Sequence, residues 1–270
     1  MDSDFTPSPH KEAVALLTGK PVVSSKVFRA ILPELRARVF TISGIAGANV
    51  LQSVRDSIAT IPQGSQTWDE AKADIVDQLD PFLGDGAEIR AEMILRVNAF
   101  QAFSASVWRV AQADDDTTHL QYLHGECRVP TESHLALNGV ILPKDDPFWD
   151  THFGPWGHLG CVCYARPMNP DMVDDARAKD EESNNPEDAN VIEGPALKQL
   201  RNGTLLRGGQ RHDVSAPDDP SAFQWHPDNL GVSMKDLRAK YDPEIFQQFE
   251  ERARNTPLAQ GGTLWTHLDK

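Results

Sequence analysis

Cys127, Cys161 and Cys163 are the cysteines of this chain, and five of its nine histidines fall between His119 and His158. Thiolate and imidazole are zinc ligands, and a closed set of four makes a structural site. His134, Cys161 and Cys163, completed by Cys127 or His158, form a candidate set. A zinc cross-link is one reading of it. The other is a small apolar core holding free cysteines and a hydrogen-bonded histidine. Cys-x-Cys is a less common zinc spacing than Cys-x-x-Cys. A disulfide fits poorly, because the cysteine count is odd and a single residue separates Cys161 from Cys163. The first residues lack the basic start and apolar stretch of a secretory signal, so a reduced, cytoplasmic compartment is expected.

Asp145 and Asp146 stand before Pro147-Phe148-Trp149. Paired carboxylates can act as general acid and base; an Asp before proline more often accepts backbone N–H bonds in a turn. Trp149 reads either as a docking anchor or, more commonly, as the buried plug of a small domain. Arg128 is a candidate partner for one of these carboxylates, with a surface cation the equal alternative. His134, Asn138, His152 and His158 also supply a His-Asn-His-like set, the basis for a metal-dependent nuclease in which metal-activated water attacks a phosphodiester. No Gly-rich phosphate loop and no Gly-x-Ser-x-Gly elbow accompanies them.

The elements that must position these groups are mainly helical. Val50, Leu51, Val54, Ile58 and Ile61 mark one helix face, and Gly64 ends that helix. Thr67 and Glu70 fit a capping box for a helix that Pro81 should end. Ile89, Met93, Val97, Phe100, Phe103, Val107 and Val110 give a long apolar stripe, expected to be core. Residues 120–170 lack helical periodicity and suggest short strands near 121–123, 140–142 and 162–165. Asp242-Pro243 fits a helix start, and 256–270 reads as an arm. The fold class expected is α+β: a helical region over 1–112, a small irregular α/β unit carrying the Cys/His cluster over 113–170, an acidic linker and basic stretch over 171–222, and a helical extension over 223–270.

The block from His134 onward carries a resemblance. Arg128-Val129, His134, Leu137-x-Gly139, Asp145-Asp146-Pro147-Phe148-Trp149, Pro155 and Cys161-x-Cys163 together are similar to the signature of the phage Mu F-like minor head proteins, the phage head morphogenesis family. Phe40-Thr41-Ile42-Ser43-Gly44-Ile45 and Arg96-Val97-Asn98-Ala99-Phe100 resemble that family's helical region, so the likeness spans roughly residues 12 to 167. Gly160-Cys161-Val162-Cys163 departs from the Asn-Cys-Arg-Cys of many relatives. The resemblance implies a minor head protein made in the host bacterial cytoplasm and carried in the virion head. It further implies association with portal and capsid proteins, and a role in head assembly or DNA packaging and delivery by docking rather than catalysis. In that reading Arg128, Gly139, Asp145, Asp146 and Trp149 are structural motif residues, and no catalytic residue or certain cofactor is implied; a structural zinc remains the one candidate.

The 270 residues hold 26 Lys+Arg against 40 Asp+Glu, a net charge of −14. So acidic a chain repels phosphate as a whole. The acidity is uneven: residues 171–190 carry most of a local excess and read as an exposed linker, whereas residues 194–212 hold Lys198, Arg201, Arg207 and Arg211 without an acid. Candidate DNA contact is therefore confined to that basic stretch. No run reaches the roughly 18 apolar residues of a membrane span, so no membrane partner is expected.

Overall fold

The computed structural model describes residues 10–127, 129–154, 161–183, 185–216, 227 and 233–270. It is 58% helical with small antiparallel sheets, the mixed α+β, helix-rich class expected. The chain divides into two compact units, one made of Met1–Phe103 with Pro227–Lys270, the other of Ser104–His226.

The first unit opens with α1 (Lys11–Thr18), α2 (Ser25–Ala30), α3 (Ala48–Gln63), α4 (Trp68–Leu83) and the early turns of α5 (Ala87–Ala113). Gly64 ends α3 at φ 75°, a left-handed cap that costs glycine no Cβ clash. Thr67 and Glu70 form the capping box at the start of α4. Pro81 does not end α4, which runs on to Leu83.

α5 turns its faces differently from the sequence expectation. Ala91, Ile94, Leu95, Ala99 and Ala102 are buried in one cluster with Leu51, Val54, Ile58, Ala71, Ile75 and Leu79. The larger side chains expected as core are half-buried or exposed, with Ile89 74% and Val110 56% accessible. Both stripes have helical spacing. Alanines win the inner face because their small side chains allow close approach between packed helices.

In the second unit, β1 (His119–Leu123) is the centre of an antiparallel sheet. β2 (Ile141–Pro143) lies on one side and β3 (Tyr164–Met168) on the other, while α6 (Glu132–Ala136) and α7 (Trp149–His152) lie in the connections. Leu120 and Tyr122 are buried on alternate positions of β1. Gly139 adopts φ 90° so that its N–H reaches the Tyr122 carbonyl at 2.8 Å; a Cβ there would sit 2.5 Å from Asn190 Oδ1.

Much of the expected acidic linker is a helix, α8 (Pro170–Ser183). Asn169 Oδ1 accepts the Met172 N–H, Asp171 lies in the first turn, where the helix dipole favours an acid, and Val173 is buried against Ile141 and Met168. The basic stretch forms α9 (Gly194–Arg201) and a hairpin of β4 (Thr204–Arg207) with β5 (Gln210–Asp213). Gly208 and Gly209, both at positive φ, supply its two-residue turn.

α10 (Met234–Lys240), α11 (Pro243–Arg254) and α12 (Leu264–Leu268) return to the first unit. Asp242 caps α11 through the Glu244 N–H. The expected terminal arm instead folds: Leu264, Trp265 and Leu268 join a core with Leu35, Val39, Phe246 and Phe249.

Candidate functional site

Antiparallel pairing of β1 with β3 ends at Leu123 opposite Tyr164. Cys161 and Cys163, just before β3, therefore run beside the segment that leaves β1. That approach is close: a Cβ on Gly125 would lie 2.4 Å from the Val162 carbonyl oxygen, and one on Gly154 2.3 Å from that of Cys163. α6 brings in His134. Its Nδ1 stands 3.6 Å from Cys161 Sγ and 3.5 Å from Cys163 Sγ, and the three ligand atoms lie within 4.8 Å of one another. All three residues are buried, and neither thiol is in a disulfide. The Cys163 thiol is pushed up by its hydrogen bond with Cys161 and by burial, with the Tyr122 hydroxyl acting in the opposite direction. Cys127 is half-buried, its Sγ 3.9 Å from His124 Nε2. Arg128 and His158 lie outside the described residues.

Asp146 is a buried hub. Its Oδ1 accepts the Phe148 N–H at 2.9 Å and its Oδ2 pairs with Arg201 at 2.5 Å. Asp145 is exposed beside it. Trp149 has 0% of its surface accessible, and its indole N–H donates to the Pro143 carbonyl at 2.9 Å. Phe148 and Phe153 pack against it, and His152 stacks on Phe148. His152 Nε2 faces the Val214 carbonyl at 2.7 Å, and the Thr151 hydroxyl meets Nδ1 at 2.8 Å. Burial lowers the His152 pKa. Asn138 Oδ1 accepts the His124 N–H. Of the His-Asn-His-like set, the described members His134, Asn138 and His152 thus have separate local partners.

Comparison with known proteins gives two relatives. The chain is 26% identical over 151 residues to the Mu-like prophage FluMu F protein of Haemophilus influenzae, an alignment covering 49% of this chain and 35% of the relative. It is 24% identical over 179 residues to the putative capsid assembly protein F of Escherichia phage Mu, covering 60% of this chain and 40% of the relative. The likeness to these F proteins covers about half of this chain. It spans two fifths or less of the length of these curated relatives. No protein-family model and no solved structure matches the chain.

The basic stretch is divided in its commitments. Arg201 is held by Asp146. Arg207 is turned inward, donating from Nε to the Ala136 carbonyl and from Nη1 to the Ala189 carbonyl, and burial lowers its pKa. Lys198 and Arg211 are exposed.

Several positioning residues went unnoticed in the sequence. Tyr122 carried a strand signal but no hint of its bond to Cys163. Gly125 and Gly154 looked like ordinary loop glycines. Lys144, inside the signature block, sends its ammonium to the carbonyls of Ala111 and Asp114 at 3.0 and 2.9 Å, at and just past the end of α5, where a basic side chain suits the terminal carbonyls. A basic residue next to Asp145 was the only trace of that role.

Proposed function

We propose that this protein is a component of phage or prophage head assembly that works by docking to other head proteins, not by turnover. The observation that carries the reading is the alignment with the Mu F proteins, one of which is named a putative capsid assembly protein. The signature residues support it through their commitments. Asp146, Trp149 and His152 spend their polar groups on the fold itself. His134, Cys161 and Cys163 are buried, so a phosphodiester has no approach to them. The portal and capsid proteins are the proposed partners, and the proposed location is the host cytoplasm during assembly and then the virion head. Among the described residues no helix is long and apolar enough to cross a membrane. DNA contact belongs to the same reading through Lys198 and Arg211.

The experiment is co-expression of the tagged chain with the portal and major capsid proteins of the phage that encodes it, followed by gradient sedimentation. Movement of the chain with portal rings or head-sized particles supports the proposal. A chain that stays at the top of the gradient in the presence of both refutes it.

A further inference from the structure

We propose that His134 Nδ1, Cys161 Sγ and Cys163 Sγ bind a structural zinc ion, and that the Cys127 thiol, which stands outside that group beside His124, moves in as the fourth ligand. For tetrahedral zinc with Zn–S near 2.3 Å and Zn–N near 2.0–2.1 Å, the N···S edge is about 3.5–3.6 Å. The two edges here are 3.5 and 3.6 Å. A neutral imidazole nitrogen offers one lone pair, and two thiols converge on it at equal range. A cation among the three atoms takes a lone pair from each, and each thiol gives up its proton to water on binding.

The surroundings suit a closed site. The ligand residues are buried, which keeps competing water away. The Tyr122 hydroxyl bonds Cys163, the kind of outer contact that holds a ligating sulfur in place. Gly125 and Gly154 admit the close approach of the Val162 and Cys163 carbonyls. Cys127 follows Gly125 by two residues on the same segment, whose backbone runs against Val162. The segment is also where a cross-link has most to stabilise, since β2 is three residues long and Cys161 and Cys163 precede β3 rather than lie in it. The proposal does not depend on the head-assembly reading; either can fail alone.

The test uses the full chain, purified under reducing conditions with its affinity tag removed. Elemental analysis should find about one zinc per chain, as a closed site requires. Cobalt(II) added to the chelator-treated protein should give thiolate-to-metal charge-transfer absorption and the strong visible bands of a tetrahedral ion. Cys161→Ser, Cys163→Ser and His134→Gln should each abolish both signals. Should these variants fail to fold, the cobalt spectrum of the unmodified chain decides. Cys127→Ser should weaken zinc by more than the roughly 10–100-fold typical of losing an outer contact, and Tyr122→Phe by an amount within that range. Below about one tenth of a zinc per chain, with no cobalt–thiolate band, the site does not exist. Unchanged affinity in Cys127→Ser overturns the fourth ligand.

Discussion

Trp149 separates a surface that docks from a plug that holds the second unit together. Its side chain has no accessible surface. A tryptophan buries about 150–250 Å2, and at about 25 cal/mol per Å2 that is about 4–6 kcal/mol as an upper figure. Trp149→Ala should therefore cost about 3–5 kcal/mol, the range for an aromatic removed from a core. Trp149→Phe keeps a ring near Phe148 and Phe153, 5.1 and 6.3 Å away between centroids, but leaves the Pro143 carbonyl without its indole donor. It should cost about 1–3 kcal/mol. Urea unfolding followed by far-ultraviolet circular dichroism avoids the lost fluorophore. With a slope near ~2 kcal/mol per molar urea, the alanine variant's midpoint falls by ~2 M and the phenylalanine variant's by ~1 M. If Trp149→Ala unfolds within about 0.5 kcal/mol of the original chain while capsid association is lost, the plug argument is wrong and Trp149 is a contact residue.

Gly154→Ala places a Cβ 2.3 Å from the Cys163 carbonyl oxygen, so the backbone must shift, and a loss of about 1–3 kcal/mol is expected in thermal unfolding. Gly86→Ala, with nothing within 4 Å, serves as its neutral control. Lys20 is buried, and desolvation lowers its pKa from 10.5 to about 8. A lysine depressed in the fold opposes folding most below that value, by about 3 kcal/mol, and the penalty fades as pH rises from about 8 toward 10.5. Lys20→Met should thus stabilise the chain at pH 7, and its advantage should shrink by pH 10 in a urea series; an advantage independent of pH contradicts the assignment. Since Arg201 is paired with Asp146 and Arg207 is turned inward, the DNA affinity of the basic stretch should fall with salt at a log–log slope no steeper than about −2. A filter-binding slope near −4 would mean that Arg201 and Arg207 leave their internal partners.

Local signals were legible where one residue type satisfies one backbone need. Gly64, the Thr67–Glu70 box and Asp242-Pro243 all mark the boundaries they suggest. The short strands appeared within a few residues of their expected places because the Pro/Gly-rich block excludes helix there. Where two answers share one period, tertiary packing chose. α5 offers a large-residue stripe and an alanine stripe, and only the neighbours supplied by α3 and α4 favour the second. The 170–183 helix was hidden by its charge, since an acidic run resembles a solvated linker until Val173 finds Ile141 and Met168. The terminal helix was likewise invisible, because its burial depends on Leu35 and Val39, more than two hundred residues earlier.

Sequence spacing grouped His134 with Cys161 and Cys163 and gave no view of what surrounds them, and that gap has a common physical form. The second unit's main sheet has three strands, one of only three residues, so its ladder supplies few backbone bonds. The chain replaces them with side chains that each tie distant segments. Lys144 joins the end of α5 to the turn after β2. Asp146 joins that turn to α9 through Arg201. His152 joins α7 to the segment after β5. His134 joins α6 to the entry of β3 through two thiols. Such ties are pairwise and long in sequence, and each buried polar group among them must be satisfied or it costs free energy. A block of charged and aromatic residues that looks like an exposed recognition loop is therefore what a small, irregular unit needs to close its own core.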